Sequence, residues 1–505
     1  MTGFRVGGGV IVASITQGER VLTVSTPLGP NVFTLAGLTG SEEISRLFSF
    51  QLDLLTENDN DVSLDRLVGQ PTTVELALPG GGSRFFNGIA SRVSQGARGA
   101  RQTSYRAEIV PRLWLLTRTQ QTRTFAHHTV PEIVRLVLGD ISAVEMRLVG
   151  NYQARDYCVQ YRESDFDFVS RLMEEEGIFY YFTHTQGGHT MVLADSAAAA
   201  SDIPGPRVVT FDATGSGKTP AQAVFSWEKT QELRAGKVTL WDHNFQLPDD
   251  PLEGTATIRE SVRVGQVTHM LRVGGNDRLE LYDYPGGYAQ RFDGIGPGGG
   301  EQPGELQKIF EAARRTAAIR MDEEALASLV IDGASNCRPF TSGHRFALEQ
   351  HPNGDGAYVI TRVEHTIRVK DPGVGERGLQ YENRFSCIPE ALTFRPRRVT
   401  PRPVIAGTQT AVVVGPAGEE IFTDKYGRVK VQFYWDRNGQ RNRDSSCWIR
   451  VAQPLSGRDR GVFWLPDIDD EVIVAFEGGD PDRPYVLGAV FNPRRLPPPP
   501  APNPQ

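Results

Sequence analysis

The sequence predicts a mainly β protein with minor α content, ending in a small closed barrel of the OB type. Three observations carry this. Short strand-like runs broken by Gly, Pro, Asn and Asp fill most of the chain, and only three stretches show helical spacing. The stretch DKYGRVKVQFYWD at 424–436 alternates strictly, with Val429, Val431, Phe433 and Trp435 on one side of an extended backbone and Arg428, Lys430, Gln432 and Tyr434 on the other. Burying the apolar four contributes at most roughly 6 to 12 kcal/mol, at about 1.5 to 3 each, so that face belongs to a core.

The elements follow in order. The apolar run Gly9 to Ile15 is too short to span a membrane and has no convincing cleavage site, so it is read as a first strand. VIVASI, VLTVST, LFSFQLDLL, TTVELALP, RFFNGIASRV and YRAEIVPRLWLL are the strand-like runs that follow. A first short helix is framed by Thr129 and Glu132 as a capping box, buries Ile133, Val134 and Val137, and stops at Gly139. A second begins at Ser164, spaces Phe166, Val169, Leu172 and Met173 along one face, and stops at Gly177. IFYYF and MVLAD then flank a turn at Gly187 and Gly188 as a hairpin. The Ala-, Leu- and Glu-rich stretch from Gly304 to Val330 is the one long helix candidate. HRFALEQHP, AYVITRVEHTIRV and LQYENRFSCIP return to strand, and FRPRRVTPRP breaks any regular element. The remaining short strands suit a small barrel, and PPPPAPNPQ is an extended tail.

A chain of 505 residues exceeds one hydrophobic core and implies several domains. With 39% hydrophobic and 23% charged residues and a net charge of −7, it has the composition of a globular protein without global attraction for nucleic acid or anionic lipid. Cys158, Cys337, Cys387 and Cys447 are widely spaced, which argues against a zinc ribbon or a disulfide framework and fits a reducing cytoplasm. The N-terminus does not read as a signal for ordinary export.

DKYGRVKVQFYWD, SSCWIRVAQP and EVIVAFEGGDPDRPYVLGAVFNP resemble the OB module of VgrG, the spike protein family of type VI secretion systems. PRLWLLTRTQQTRTF, DYCVQYRESDFDFVSRLMEEEGIFYYF and LQYENRFSCIP resemble the hub portion of the same family, which is similar to myophage baseplate hubs. The resemblance implies tandem barrel-like hub domains with inserted helices over residues 1–394, a linker at 395–418, the OB module at 419–495 and a Pro-rich tail at 496–505. It further implies a homotrimer that matches a hexameric tail tube by pseudo-sixfold symmetry, contacts baseplate proteins, and meets a PAAR-type tip or an effector at its C-terminal end. Such a protein is made in the cytoplasm, is exported by the machine itself to the extracellular space or a target cell, and passes transiently through the target membrane. Two departures stand out. The stretch PDIDDEVIV lacks the family's usual Gly before the acidic turn, where Asp469 would take the left-handed conformation. The family's β-helical needle does not follow the OB module in this sequence, and the Pro-rich tail is either a tether or a needle remnant.

No catalytic, cofactor-binding or metal-binding residue is assigned. GSGKT at 215–219 is not a phosphate loop, because Asp212 stands where its first glycine belongs and a strand-like run follows. Gly294, Gly296 and Gly299 match a dinucleotide spacing but enclose Pro297 with no strand directly before, so a flexible loop is expected. His184 and His189 flank the hairpin turn near Asp195, without a third metal ligand at a recognisable spacing. His127 and His128 are adjacent and would point oppositely from extended backbone. The acidic run at 467–471 lacks calcium-loop spacing, and Glu174, Glu175 and Glu176 read as a solvated helix end. An OB module can instead bind single-stranded nucleic acid, but Glu419 to Arg495 is nearly balanced in charge. Arg428, Lys430 and Tyr434 are therefore expected on a solvated or subunit-contacting face. The hub of a different phage-like injection particle and a secreted hydrolase are the rival functional readings.

Overall fold

The structure, a computed structural model, describes residues 20–213, 222–369 and 378–499. The expected first strand and the GSGKT stretch lie outside them, as do residues 500–505 of the tail.

The largest sheet among the described residues has 13 strands. Its first half joins Leu22–Ser25, Pro71–Ala77, Ser83–Arg98, Gln102–Val110, Ser49–Glu57 and Thr34–Glu43; its second half joins Gly356–Val369, Leu379–Pro389, Leu329–Ser335 and Ala223–Gln231, followed by short strands. The halves meet where Thr34–Glu43 runs antiparallel to Gly356–Val369, from Gly37 opposite Arg368 to Glu43 opposite Arg362. Each half encloses its own core. Phe48, Phe50, Leu52 and Phe86 fill the first, and Phe340, Phe346, Tyr358 and Phe385 the second.

The strand-forming reason is visible in the alternation of buried and exposed positions along Ser49–Glu57. Thr34–Glu43 gives no such signal, since Gly37 and Gly40 interrupt its apolar pattern. Gly40 has a steric reason to be there: a Cβ would stand 2.2 Å from the Ser49 carbonyl oxygen and 2.7 Å from the Phe50 Cα, both backbone. Gly40→Ala is expected to lower stability by about 1 to 3 kcal/mol, read as the urea midpoint; an unchanged midpoint would show that the strands can part at no cost.

Helix α1, Val130–Leu138, carries the full Thr129–Glu132 capping box and stops at Gly139. Helix α2, Asp165–Glu176, is capped by the Ser164 side chain and ends at Gly177 in the left-handed conformation. Its core residue is Phe168 and not Phe166, which is only half-buried. The long helix is broken at Gln307 into α3, Pro303–Leu306, and α4, Lys308–Ala327; Leu329 already belongs to strand. The run RLWLL is a 3-10 turn, Arg112–Arg118, because Pro111 ends the strand before it. The hairpin Phe179–His184 and His189–Ala194 forms as expected.

The C-terminal module is a five-stranded sheet around Ala411, Val413, Val429, Val431, Phe433, Val472 and Val474. It takes in Gln409–Val414, which pairs with both Lys430–Phe433 and Glu471–Phe476 and lies inside the stretch read as linker. Asp469 has a φ of 74°, the left-handed turn expected of it.

Candidate functional site

A buried ionic junction joins α2, α4, the proline-rich segment and the barrel. It grows from the end of α2. Glu174, Glu175 and Glu176 are all buried, not solvated, because Gly177 turns the chain away and three other segments close over them. Glu176 accepts hydrogen bonds from Arg155 at 2.8 Å and Arg291 at 3.1 Å, and also from Arg315 on α4. Glu175 accepts from Arg155 at 2.9 Å and from Arg402 at 2.7 Å. Glu174 accepts from the Thr400 hydroxyl at 2.8 Å and from the Val399 and Thr400 amides. Burial alone would push these carboxyls up. For Glu176 it is outweighed by Arg291, Arg155 and Arg315, which hold it at about 2, and for Glu175 by Arg402, Arg155 and Arg291, which hold it well below the usual range.

The barrel is tied to the hub by a second set of contacts. Arg428 grips Asp293 through both terminal nitrogens, at 2.6 and 2.9 Å, while its Nε donates to Asp424 at 2.7 Å. Asp482 accepts from the Val159 amide at 2.7 Å, Arg483 reaches Asp242 at 3.3 Å, and the Trp448 indole donates to the Gly296 carbonyl at 2.9 Å. The polar face of the 424–436 stretch is thus corrected. Arg428 and Lys430 are almost wholly buried within this chain, Lys430 donating to the Ser446 carbonyl at 3.1 Å and lying over the Trp448 ring. Only Tyr434 is exposed, as expected. Periodicity identifies the two faces but not what covers the second one.

The remaining candidates are dispersed. His184 and His189 do face each other across the hairpin, but both turn to Asn87, whose side-chain oxygen lies 2.9 Å from the His189 Nδ1. Asp195 instead accepts from the Val149 and Gly150 amides and the Tyr152 hydroxyl. Burial depresses both imidazoles, His189 to about 4. His127 has a positive φ of 57° and stands 3.5 Å from Asp156, whereas His128 faces the Ala126 carbonyl. Gly294, Gly296 and Gly299 form a loop that packs against the barrel through Trp448. The 467–471 run is a turn in which the Asp470 carboxylate accepts from the Asp467 amide. Among the described residues, no three His, Cys, Asp or Glu side chains are grouped to hold a metal.

Residues 41–371 match the model of the phage tail baseplate hub, and residues 410–491 that of the type VI secretion system and phage-baseplate injector OB domain. The spike proteins VgrG1c and VgrG1a of Pseudomonas aeruginosa are each 40% identical over 94% of this chain. The chain belongs to the VgrG family. It spans 62% of the length of VgrG1c and 70% of that of VgrG1a. Solved structures agree on the fold. A type VI secretion component of E. coli, described as structurally similar to the T4 bacteriophage tail proteins gp27 and gp5, superposes with a TM-score of 0.61 at 19% identity, covering 93% of this chain and 99% of that one. A chain of a Francisella PdpA-VgrG complex gives 0.55 at 8% identity, covering 91% of this chain and 67% of that one. In this chain the Arg428–Asp293 and Arg483–Asp242 pairs and the Val159–Asp482 bond join the hub to the OB module, and Arg402 links the glutamate junction to Asp480.

Proposed function

We propose that this VgrG chain is a non-enzymatic structural hub and spike base, which assembles as a homotrimer between a hexameric tail tube and a puncturing tip. Baseplate proteins surround it, and a PAAR-type tip or an effector sits at its C-terminal end. On contraction it is driven out of the producing cell and carried through a target membrane; no helix among the described residues is long and apolar enough to cross one. The observation that carries this reading is the junction itself. A hub and a barrel cross-linked by buried guanidinium–carboxylate pairs transmit axial force as a unit, since the charges cannot separate without leaving partners unpaired. It also counts against nucleic-acid binding, because Arg428 and Lys430 are enclosed within the chain and cannot reach a phosphate backbone.

The barrel carries exposed apolar side chains that support a contact with neighbouring copies. Leu455 and Val462 stand opposite each other on a small hairpin, each about half exposed, and Phe463, 70% exposed, lies just after it beside the turn at Gly427. Light scattering of the purified chain should give the mass of three copies, and Phe463→Glu should shift the equilibrium toward monomer by about tenfold or more in dissociation constant. A well-behaved monomer of the unsubstituted chain at micromolar concentration would overturn the trimer. Turnover of peptidoglycan or ester substrates would overturn the non-enzymatic reading.

A further inference from the structure

A three-stranded sheet of the hub, in the order Leu252–Thr257, Lys237–Asp242 and Glu280–Asp283, shows apolar side chains on both of its faces. One face, with Val238, Leu240 and Leu252, is buried in the same core as Ala313 and Ala317 of α4. The other is open. The register sets Tyr282 beside Thr239, on the same side of the sheet as Trp241. The Gly286 amide donates to the Trp241 carbonyl at 2.8 Å, which keeps the chain through Tyr284 alongside. Trp241, Tyr282 and Tyr284 are 37%, 62% and 50% exposed. We propose that a second copy of this chain covers this aromatic face in the trimer, a placement that rests on the homotrimer reading and adds a hub surface to it.

The strand that carries Tyr282 is suited to being covered. Glu280–Asp283 is the last strand of its sheet, all four of its residues are exposed, and its outer edge has no ladder partner among the described residues. Lysine, proline or a bulge guards many such edges, and none stands in this one. Its two carboxylates are already matched within the chain, Glu280 by Lys237 at 2.8 Å and Asp283 by Arg320 at 3.2 Å. Docking therefore buries no unpaired charge from this strand.

Area selects the occupant. A stable contact between copies needs roughly 800 Å² from each partner. The barrel hairpin is too small to supply it, because its three exposed apolar side chains offer roughly 300 Å² at about 150 to 250 Å² for a whole aromatic side chain. By the same measure the three hub aromatics, with Leu279 and Leu281 at the sheet edge, add roughly 400 Å². The two surfaces together reach the size that a specific interface requires. In a closed ring each copy presents the same face to its neighbour, so all three aromatic faces are covered at once.

Sedimentation equilibrium of the full chain should show that Tyr282→Glu raises the trimer dissociation constant about tenfold or more. Tyr282→Cys reports coverage directly. Its thiol should react with a maleimide severalfold more slowly in the trimer than in the same chain dissociated by dilution. A trimer in which that thiol reacts as fast as in the dilute chain, or whose dissociation constant Tyr282→Glu leaves unmoved, overturns this surface while the trimer stands, and leaves the aromatic face to a different partner. A chain that stays monomeric at micromolar concentration overturns both.

Discussion

Glu176→Ala is expected to cost about 3 to 5 kcal/mol of unfolding free energy, the amount typical of removing one partner from a buried ion pair. Three guanidiniums converge on this one carboxylate, from Arg155, Arg291 and Arg315, and the first two belong to segments outside the α-helices. The alanine would leave Arg155 and Arg291 to share Glu175 alone, and Arg315, one-third exposed, without its carboxylate. Much of the loss is therefore the under-compensated charge of the two buried guanidiniums, and Glu176→Gln, which keeps the volume and one acceptor, should recover part of it. The surface pair Arg147–Glu145 serves as the contrast. Its side chains are 32% and 49% exposed, and Glu145→Ala should cost less than about 1 kcal/mol. Urea unfolding of the three variants checks the ranking. If Glu176→Ala loses no more than Glu145→Ala, the network does not hold the junction together.

How much of the fold and the junction is legible in the sequence depends on where the burying partner lies. Val429, Val431 and Phe433 announce a core face because alternation is a property of adjacent residues, and that face is buried. Lys430 and Gln432 sit on the opposite face of the same strand, and Ser446 and Asp436 in the loop after it cover them. The Arg428 partner Asp293 is 135 residues away. No local period can report such a contact. Three consecutive glutamates before a glycine likewise read as a solvated helix end, and only folding brings Arg155, Arg315 and Arg402 to them. The strand Gln409–Val414 is a different kind of miss. Its TAVVV run between Gly407 and Gly415 is a clear β-branched signal, masked by the proline-rich stretch before it. The helix caps at Thr129 and Ser164 are readable in full, since a cap and its partner amide lie within four residues. Family likeness supplies what spacing cannot, the order of hub and barrel.

Acidification should weaken the fold steadily below about pH 6.5, through imidazoles that the protein keeps neutral. His184, His189, His344 and His365 are each depressed by burial as the largest cause, His189 to about 4. An imidazole whose folded value is lowered takes its proton first in the unfolded chain. Its contribution is full above the unfolded value and is lost as pH falls through the folded one, at up to about 1.4 kcal/mol per pH unit for each group. Four carboxyls act in the other direction. Burial raises Glu323 to about 7 and Asp482 to about 6, and it pushes Asp156 and Glu174 up as well, so these favour the folded state as pH drops toward about 4. Burial also depresses His269 and His351, and six imidazoles outweigh four carboxyls, so the net slope is a loss. Below about pH 4.5 the loss steepens, because Arg84 and His365 hold Glu42, and the arginines hold Glu176, at about 2 against the effect of burial. The urea midpoint should therefore fall at every step from about pH 7.5 to about pH 4, and His189→Gln should flatten the upper part of that slope. A midpoint that rises between about pH 6.5 and pH 5 would mean that Asp482 and Glu323 dominate, and that the junction, not the histidine-bearing hub core, sets the acid response.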